Sequence, residues 1–183
     1  MKNINDIPPY IGAYIAGFVD GEESFNVSFC HREDHVLQWK TVLTFNVAQR
    51  DKTVLALMKQ HLGCGRLQGR RDGVWYYVVS NPQSLGERVI PFFERFGFLS
   101  AKSKRNFALF KKVARLMIYK KHLTREGLEE IAQIRELINE GHGRTRKYTI
   151  DHIMNDGHGN PQRLYAKQDE EHPDDIVRPH ERS

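Results

Sequence analysis

Apolar residues recur along this chain with two periods, and the points where one period gives way to the other divide it into elements. Ile11, Ile15, Phe18 and Val19 fall at helical spacing behind Pro8 and Pro9, which suit a first turn, so the chain opens with a helix. From Ser24 to Arg32 the period becomes two, with Phe25, Val27 and Phe29 alternating with Asn26, Ser28 and Cys30. The alternation breaks at residues 33–36. It resumes from Gln38 to Val47, where Trp39, Thr41, Leu43, Phe45 and Val47 oppose Gln38, Lys40, Val42, Thr44 and Asn46. Two half-buried strands joined by a short polar loop predict a hairpin.

Helical spacing returns at Val54, Leu55, Leu57, Met58 and Leu62, with Asp51 placed to cap the start and Gly63 to stop it. Residues 65–71 and 74–80 predict a second hairpin around Asp72-Gly73, with Arg66, Gln68 and Arg70 on one face. Pro91 to Phe98 predicts a turn or two of helix. From Lys102 a longer helix follows, with Phe107, Phe110, Val113, Ala114 and Met117 inward and Lys104, Arg105, Lys111, Lys112 and Arg115 outward. A further helix runs from His122 to Asn139 behind a Thr124 cap, carrying Leu128, Ile131, Ile134, Leu137 and Ile138, and Gly141 and Gly143 stop it. Arg144 to Tyr148 reads as an exposed basic stretch. Beyond Asp156 periodicity is lost, which predicts one domain over 1–156 and a mobile polar tail over 157–183. The order helix, hairpin, helix, hairpin, helix predicts an α+β layer: a four-stranded antiparallel sheet with helices on one face.

Candidate chemistry gathers where the first helix meets the first strand. Gly12 with Ala16, and Ala13 with Gly17, leave two adjacent rows of that helix nearly bare, so another backbone can come close. Asp20, Glu22 and Glu23 follow at its C-terminus, the negative end of the helix dipole, where cations are favoured. Departures from local rules concentrate at functional sites, and the counter-charge expected here is a divalent cation.

The segment Ile15 to Glu23, IAGFVDGEE, resembles the nine-letter motif of the LAGLIDADG homing endonucleases with no gap. Gly21 stands for an Ala, Glu22 for the second Asp, which binds the catalytic metal in that family, and Glu23 for the final Gly. The last is the clear departure. The likeness runs from about residue 11 to about 150 and implies a saddle-shaped αββαββα core that lies on DNA through its sheet. It implies a site-specific, intron-encoded endonuclease that breaks both DNA strands by Mg²⁺-dependent phosphodiester hydrolysis, with Mn²⁺ as a substitute. On that likeness Glu22 is the catalytic metal ligand and the Gly21 carbonyl a second, while Asp20 buttresses the helix ends or the turn. Gln49 would position water and Lys102 would stand near the scissile phosphate, with Lys104 as its competitor. A further basic residue of the family falls near Thr53, where Lys52 would substitute. One copy of the motif implies a homodimer on a roughly palindromic target about two turns of duplex long, with Gly12, Ala13, Ala16 and Gly17 at the two-fold axis.

Charge sharpens the picture. The net charge is +5, but residues 167–183 hold three Lys or Arg against six Asp or Glu, leaving 25 basic against 17 acidic residues elsewhere. A basic body expects a polyanion, here double-stranded DNA. The polar sheet face offers Asn26, Ser28, Gln38, Lys40, Thr44, Asn46, Arg66, Gln68, Arg70 and Tyr76 for base contacts, and Arg144, Arg146 and Lys147 for phosphates. Cys30 and Cys64, outside any paired motif, argue against a disulfide framework or a cysteine zinc site. With no run of about 18 apolar residues and no targeting segment, no membrane partner is expected. The expected location is intracellular, in a bacterial cytoplasm or in the organelle whose DNA encodes the protein. Three alternatives stand beside this reading: an RNA-binding intron maturase of the same fold, with its host intron RNA as partner; an HNH-type nuclease on His152, Asn155 and His158; and a DNA-binding regulator that does not cut.

Overall fold

A computed structural model describes residues 3–22, 24–35, 37–140 and 146–155. Helix α1 (Pro9–Asp20) begins on Pro9 and buries Gly12, Ile15, Ala16 and Val19. Strands β1 (Phe25–His31) and β2 (Trp39–Gln49) pair antiparallel, with Phe25 opposite Phe45 and His31 opposite Trp39. Gln38 departs from expectation. It lies before β2 at φ 59, closing the loop through bonds from its N–H to His35 O and from the Arg32 N–H to its own carbonyl, so it is off the sheet face.

Helix α2 (Lys52–Leu62) carries both expected caps: the Asp51 carboxylate accepts from the Thr53 N–H, and Gly63 is left-handed. Strands β3 (Arg66–Gly69) and β4 (Trp75–Val79) form the second hairpin, and β4 docks on β2, giving the antiparallel order β1-β2-β4-β3. Residues 82–96 are then helical throughout: a single turn, α3 (Pro82–Ser84), a π-helical stretch Leu85–Val89, and α4 (Ile90–Phe96). Only the last part was expected, because Pro91 reads as a helix start. The wide π turn lets the chain pass a residue whose ring and missing N–H disturb a regular helix.

Helices α5 (Ala101–Ile118) and α6 (Arg125–Leu137) cap on Ser100 and Thr124 and lie against β1, while α2 covers β2 and β4. A short helix α7 (Ile150–Asn155) packs on α6. The covered face of the sheet is a cluster of rings: Phe25 meets Phe45, Phe93, Phe98, Phe107 and Phe110 at centroid distances of 4.9–5.8 Å. Full burial of each ring stabilises by roughly 1.5–3 kcal/mol, so the sheet and helices cannot separate cheaply.

Polar groups lock the layers in register. The buried amides of Asn106 and Asn139 bond to each other at 2.7 Å, and Asn139 also donates to Phe25 O, tying the end of α6 to α5 and β1. Arg88, equally buried, donates to Leu62 O at 2.6 Å and so caps α2 from another element. Arg146 overturns its assignment to a phosphate-holding surface. Its guanidinium donates to Arg135 O and Ile138 O and pairs with Glu136, closing the C-terminus of α6. Tyr148 is likewise buried, edge-on to Trp39.

Candidate active site and nucleic-acid interface

The acidic end of α1 is divided between two jobs. Asp20 faces the start of α5, where its carboxylate accepts from the N–H groups of Leu99 and Ser100 and from the Ser100 hydroxyl at 2.6–3.0 Å. The Asp20 carbonyl accepts from Ser103 Oγ. Burial pushes the Asp20 carboxyl up, but the bonds from Ser100, Ser103 and Leu99 outweigh it and hold the group below its ordinary value. The positive partner of Asp20 is therefore the N-terminus of α5, not an ion.

Glu22 is the other acid at this helix end among the described residues. It lies just past α1, half-buried, and its Oε1 accepts from Gln49 Nε2 at 3.2 Å. Gln49 ends β2 on the same face as Val47, so the sheet delivers it to the end of the motif helix. Lys102 is exposed in the first turn of α5, two residues beyond the Ser100 that bonds Asp20. The Asp20–Ser100 clamp thus holds the ends of α1 and α5 together and brings the three candidate catalytic residues to one end of the fold. Lys104 is exposed two residues further along α5; Lys52 begins α2, its Nζ 4.3 Å from the ring centre of Trp75, the cross-strand partner of Gln49. Gly21 is exposed beside Glu22, and Glu23 lies outside the described residues.

A carboxylate and a backbone carbonyl are hard oxygen donors of the kind Mg²⁺ takes. Among the described residues no three His, Cys, Asp or Glu side chains converge on a point. The histidine-centred alternative gains nothing: His152 Nδ1 accepts from the Thr149 N–H at the start of α7, and His158 lies outside the described residues. Both cysteines are free, and burial pushes the Cys64 thiol up, away from reactivity.

The two small-residue rows do not share a fate. Gly12 and Ala16 face inward, and a Cβ on Gly12 would sit 2.2 Å from the Phe96 ring, so this row serves packing of α1 on α4 and is not free to meet a partner. Ala13 and Gly17 are exposed, with open space above Gly17 and with Tyr10 and Tyr14 on the same face.

On the sheet's uncovered face lie Asn26, Ser28 and Cys30 of β1, Lys40, Thr44 and Asn46 of β2, Arg66 and Gln68 of β3, and Tyr76 of β4, with Arg70 just beyond β3. Register places Asn26 opposite Thr44, Arg66 and Asn46 on either side of Val78, and Gln68 opposite Tyr76. Asn26 Nδ2 donates to Asn46 Oδ1 at 2.6 Å. These strands put no Asp or Glu on this face. The basic face of α5 differs, because its charges meet acids: Arg105 with Glu140, Lys111 with Glu94 and Lys112 with Glu130. Lys147 is exposed beside Tyr148, and Arg144 lies outside the described residues.

Residues 15–114 match the family described as LAGLIDADG endonuclease, and the chain belongs to that family. Among solved structures it resembles an archaeal intron-encoded homing endonuclease, I-Vdi141I, complexed with DNA, at 30% identity and TM-score 0.72 over 79% of this chain and 92% of that one. It also resembles the I-LtrWI LAGLIDADG homing endonuclease bound to target DNA, at 30% identity and TM-score 0.69 over 78% of this chain and 47% of that one. A probable intron-encoded endonuclease of Neurospora crassa is 29% identical over 78% of this chain and 32% of its own length. Homing endonuclease I-ApeII of Aeropyrum pernix is 31% identical over 55% of this chain and 60% of its own. The chain thus spans less than two thirds of the length of these curated relatives.

Proposed function

We propose that this chain is a site-specific DNA endonuclease, intron-encoded, that cuts both strands as a homodimer on a long, roughly palindromic target. The observation that carries the reading is the contrast between the two surfaces: sheet strands whose uncovered face carries Lys and Arg and no carboxylate, and a helix α5 in which Arg105, Lys111 and Lys112 are paired with acids. Family membership, with structural neighbours that are complexed with DNA, points the same way.

Each residue's part follows from its position. Glu22 and the Gly21 carbonyl would hold Mg²⁺, or Mn²⁺ in its place, together with phosphate oxygens and water. When bound, such an ion shields the phosphate charge and lowers the pKa of a coordinated water. Gln49, hydrogen-bonded to Glu22, orients that carboxylate and keeps one N–H for a water. Lys102 supplies positive charge beside the phosphate. A single Glu22 makes half of a double-strand cutter. The exposed Ala13–Gly17 row of α1, bordered by Tyr10 and Tyr14, is the surface on which a second copy would bring its own Glu22 alongside.

The test is cleavage of a plasmid library of partly palindromic sites with Mg²⁺, with Ca²⁺ as a binding-only control. Wild type is expected to give discrete double-strand cuts and Glu22→Gln none, while both retain bound DNA in Ca²⁺. Binding without cutting under every metal tried would sink the catalytic assignment and favour the maturase or regulator instead.

A further inference from the structure

We propose that the acidic segment 164–177 of this chain docks on the turn between α5 and α6 and masks its cations from DNA; the docking is independent of the endonuclease reading, and the masking rests on it. Residues 115–125 hold Arg115, Lys120, Lys121 and Arg125 and no Asp or Glu. Among the described residues the side chains of Arg115, Lys120 and Lys121 meet no acid, whereas Arg105, Lys111 and Lys112 earlier in α5 are each paired with one. Large apolar side chains stand among these cations. Ile118 is 61% exposed, Tyr119 74% and Leu123 39%, although the same helix buries Phe107, Phe110 and Val113. Exposed apolar groups rimmed by charge mark an interaction surface.

The turn is fixed in shape. Lys120 reverses the chain at φ 57, and the Lys121 carbonyl accepts from the Thr124 N–H and hydroxyl. A Cβ on Gly127 would collide with that same carbonyl, so the turn lies tight on the first turn of α6. The surface is separate from the Ala13–Gly17 row offered to a second copy, which belongs to α1.

The rest of the chain supplies an occupant. Arg125 donates to Met154 O at 2.9 Å, so the chain leaves α7 beside this turn. Leu164 and Tyr165, then Asp169, Glu170, Glu171, Asp174 and Asp175, then Ile176 and Val177 are the apolar and acidic complement of the surface. At about 3.3 Å per residue, the run from Asp156 to Asp169 can span roughly 45 Å, more than the roughly 27 Å of α5, so length does not prevent docking. A tethered carboxylate run is present at about millimolar effective concentration, which a free polyanion must exceed to displace it. Covering the turn takes cations off the helix side and leaves the sheet face as the stronger site for DNA.

The test is zero-length carbodiimide cross-linking of the full chain, which joins a lysine amine to a carboxylate only where the two touch, read by peptide mass spectrometry. Lys120 or Lys121 should be the main partner of the acids at 169–175, and the pair Ile118→Ser and Tyr119→Ser should lose those cross-links. Cross-links from these acids spread over lysines elsewhere, or unchanged by the Ser pair, would overturn the docking whatever the protein does to DNA. Masking is read by salt titration on a scrambled duplex in Ca²⁺. Neutralising the segment (Asp169→Asn, Glu170→Gln, Glu171→Gln, Asp174→Asn, Asp175→Asn) should steepen the slope of log affinity against log salt by about 1–2, and adding Lys120→Ala and Lys121→Ala should reverse that change. With the acids intact, the same two lysine substitutions should leave the slope unaltered. An equal loss of slope in both backgrounds would show lysines already open to DNA and overturn the masking.

Discussion

Asp20 and Glu22 stand two residues apart at the end of one helix and answer to different forces. Asp20 stabilises the fold by capping α5, so Asp20→Ala should cost about 1–2 kcal/mol in urea unfolding at neutral pH. Its carboxyl is held below the ordinary value of 3.8, so its contribution is full above that value and is lost as the pH falls through the lower, folded one. The gap between wild type and Asp20→Ala should therefore close in acid. A gap that stays constant down to pH about 2 would rule out the carboxylate as the cap. The resemblance gives Asp20 a buttressing part, but the sequence does not show that its partner is the start of α5, because Ser100 is 80 positions away. The same limit hid Arg146. A run of bases looks like surface charge until the carbonyls at the end of α6 are seen to lie within its reach.

At the scale of elements, α1 shows how periodicity sets a helix without orienting its faces. Its small residues form two rows that look equivalent in sequence, yet Phe96 lies over one of them. Gly12→Ala should destabilise the fold by about 1–3 kcal/mol in dilute solution, because a methyl there meets the ring. Gly17→Arg, in open space on the monomer, should keep the helical content and convert the proposed dimer to monomers in sedimentation. A Gly17→Arg protein that sediments like wild type would remove the exposed row of α1 from the interface. The hairpins were legible almost residue by residue, since alternation fixes which side chains share a face. Gln38 was the exception, because a left-handed residue at a loop's end keeps the alternation of letters while leaving the strand. The helix over residues 82–90 was hidden by a proline that a π turn accommodates.

For the whole molecule, net charge says less than its distribution. Arg105, Lys111 and Lys112 of α5 meet acids beyond α6, on α4 and on α6, whereas the strands leave the sheet face free of carboxylates. Arg66→Ala should weaken DNA binding and lower the slope of log affinity against log salt by about 1. Lys112→Ala, removing a charge already paired with Glu130, should change neither. Equal effects from the two substitutions, measured by salt titration on one duplex, would place the DNA elsewhere than on the sheet. Among the described residues no helix is long and apolar enough to cross a membrane.

By itself the sequence determined the α+β class, the two hairpins with their faces, the N-terminal caps of α2 and α6, and the motif that places a carboxylate at the end of α1. These are local quantities, set by period, by turn residues and by the groups that satisfy a helix's first and last bonds. Tertiary structure alone decided that Asp20 caps α5 while Glu22 meets Gln49, that Gly12 is filled by Phe96, that Arg146 closes α6, and that Arg70 rests on Tyr76. Each of these joins residues from different elements, and several lie far apart in the chain. Packing geometry chooses among partners that the letters leave equally able to pair.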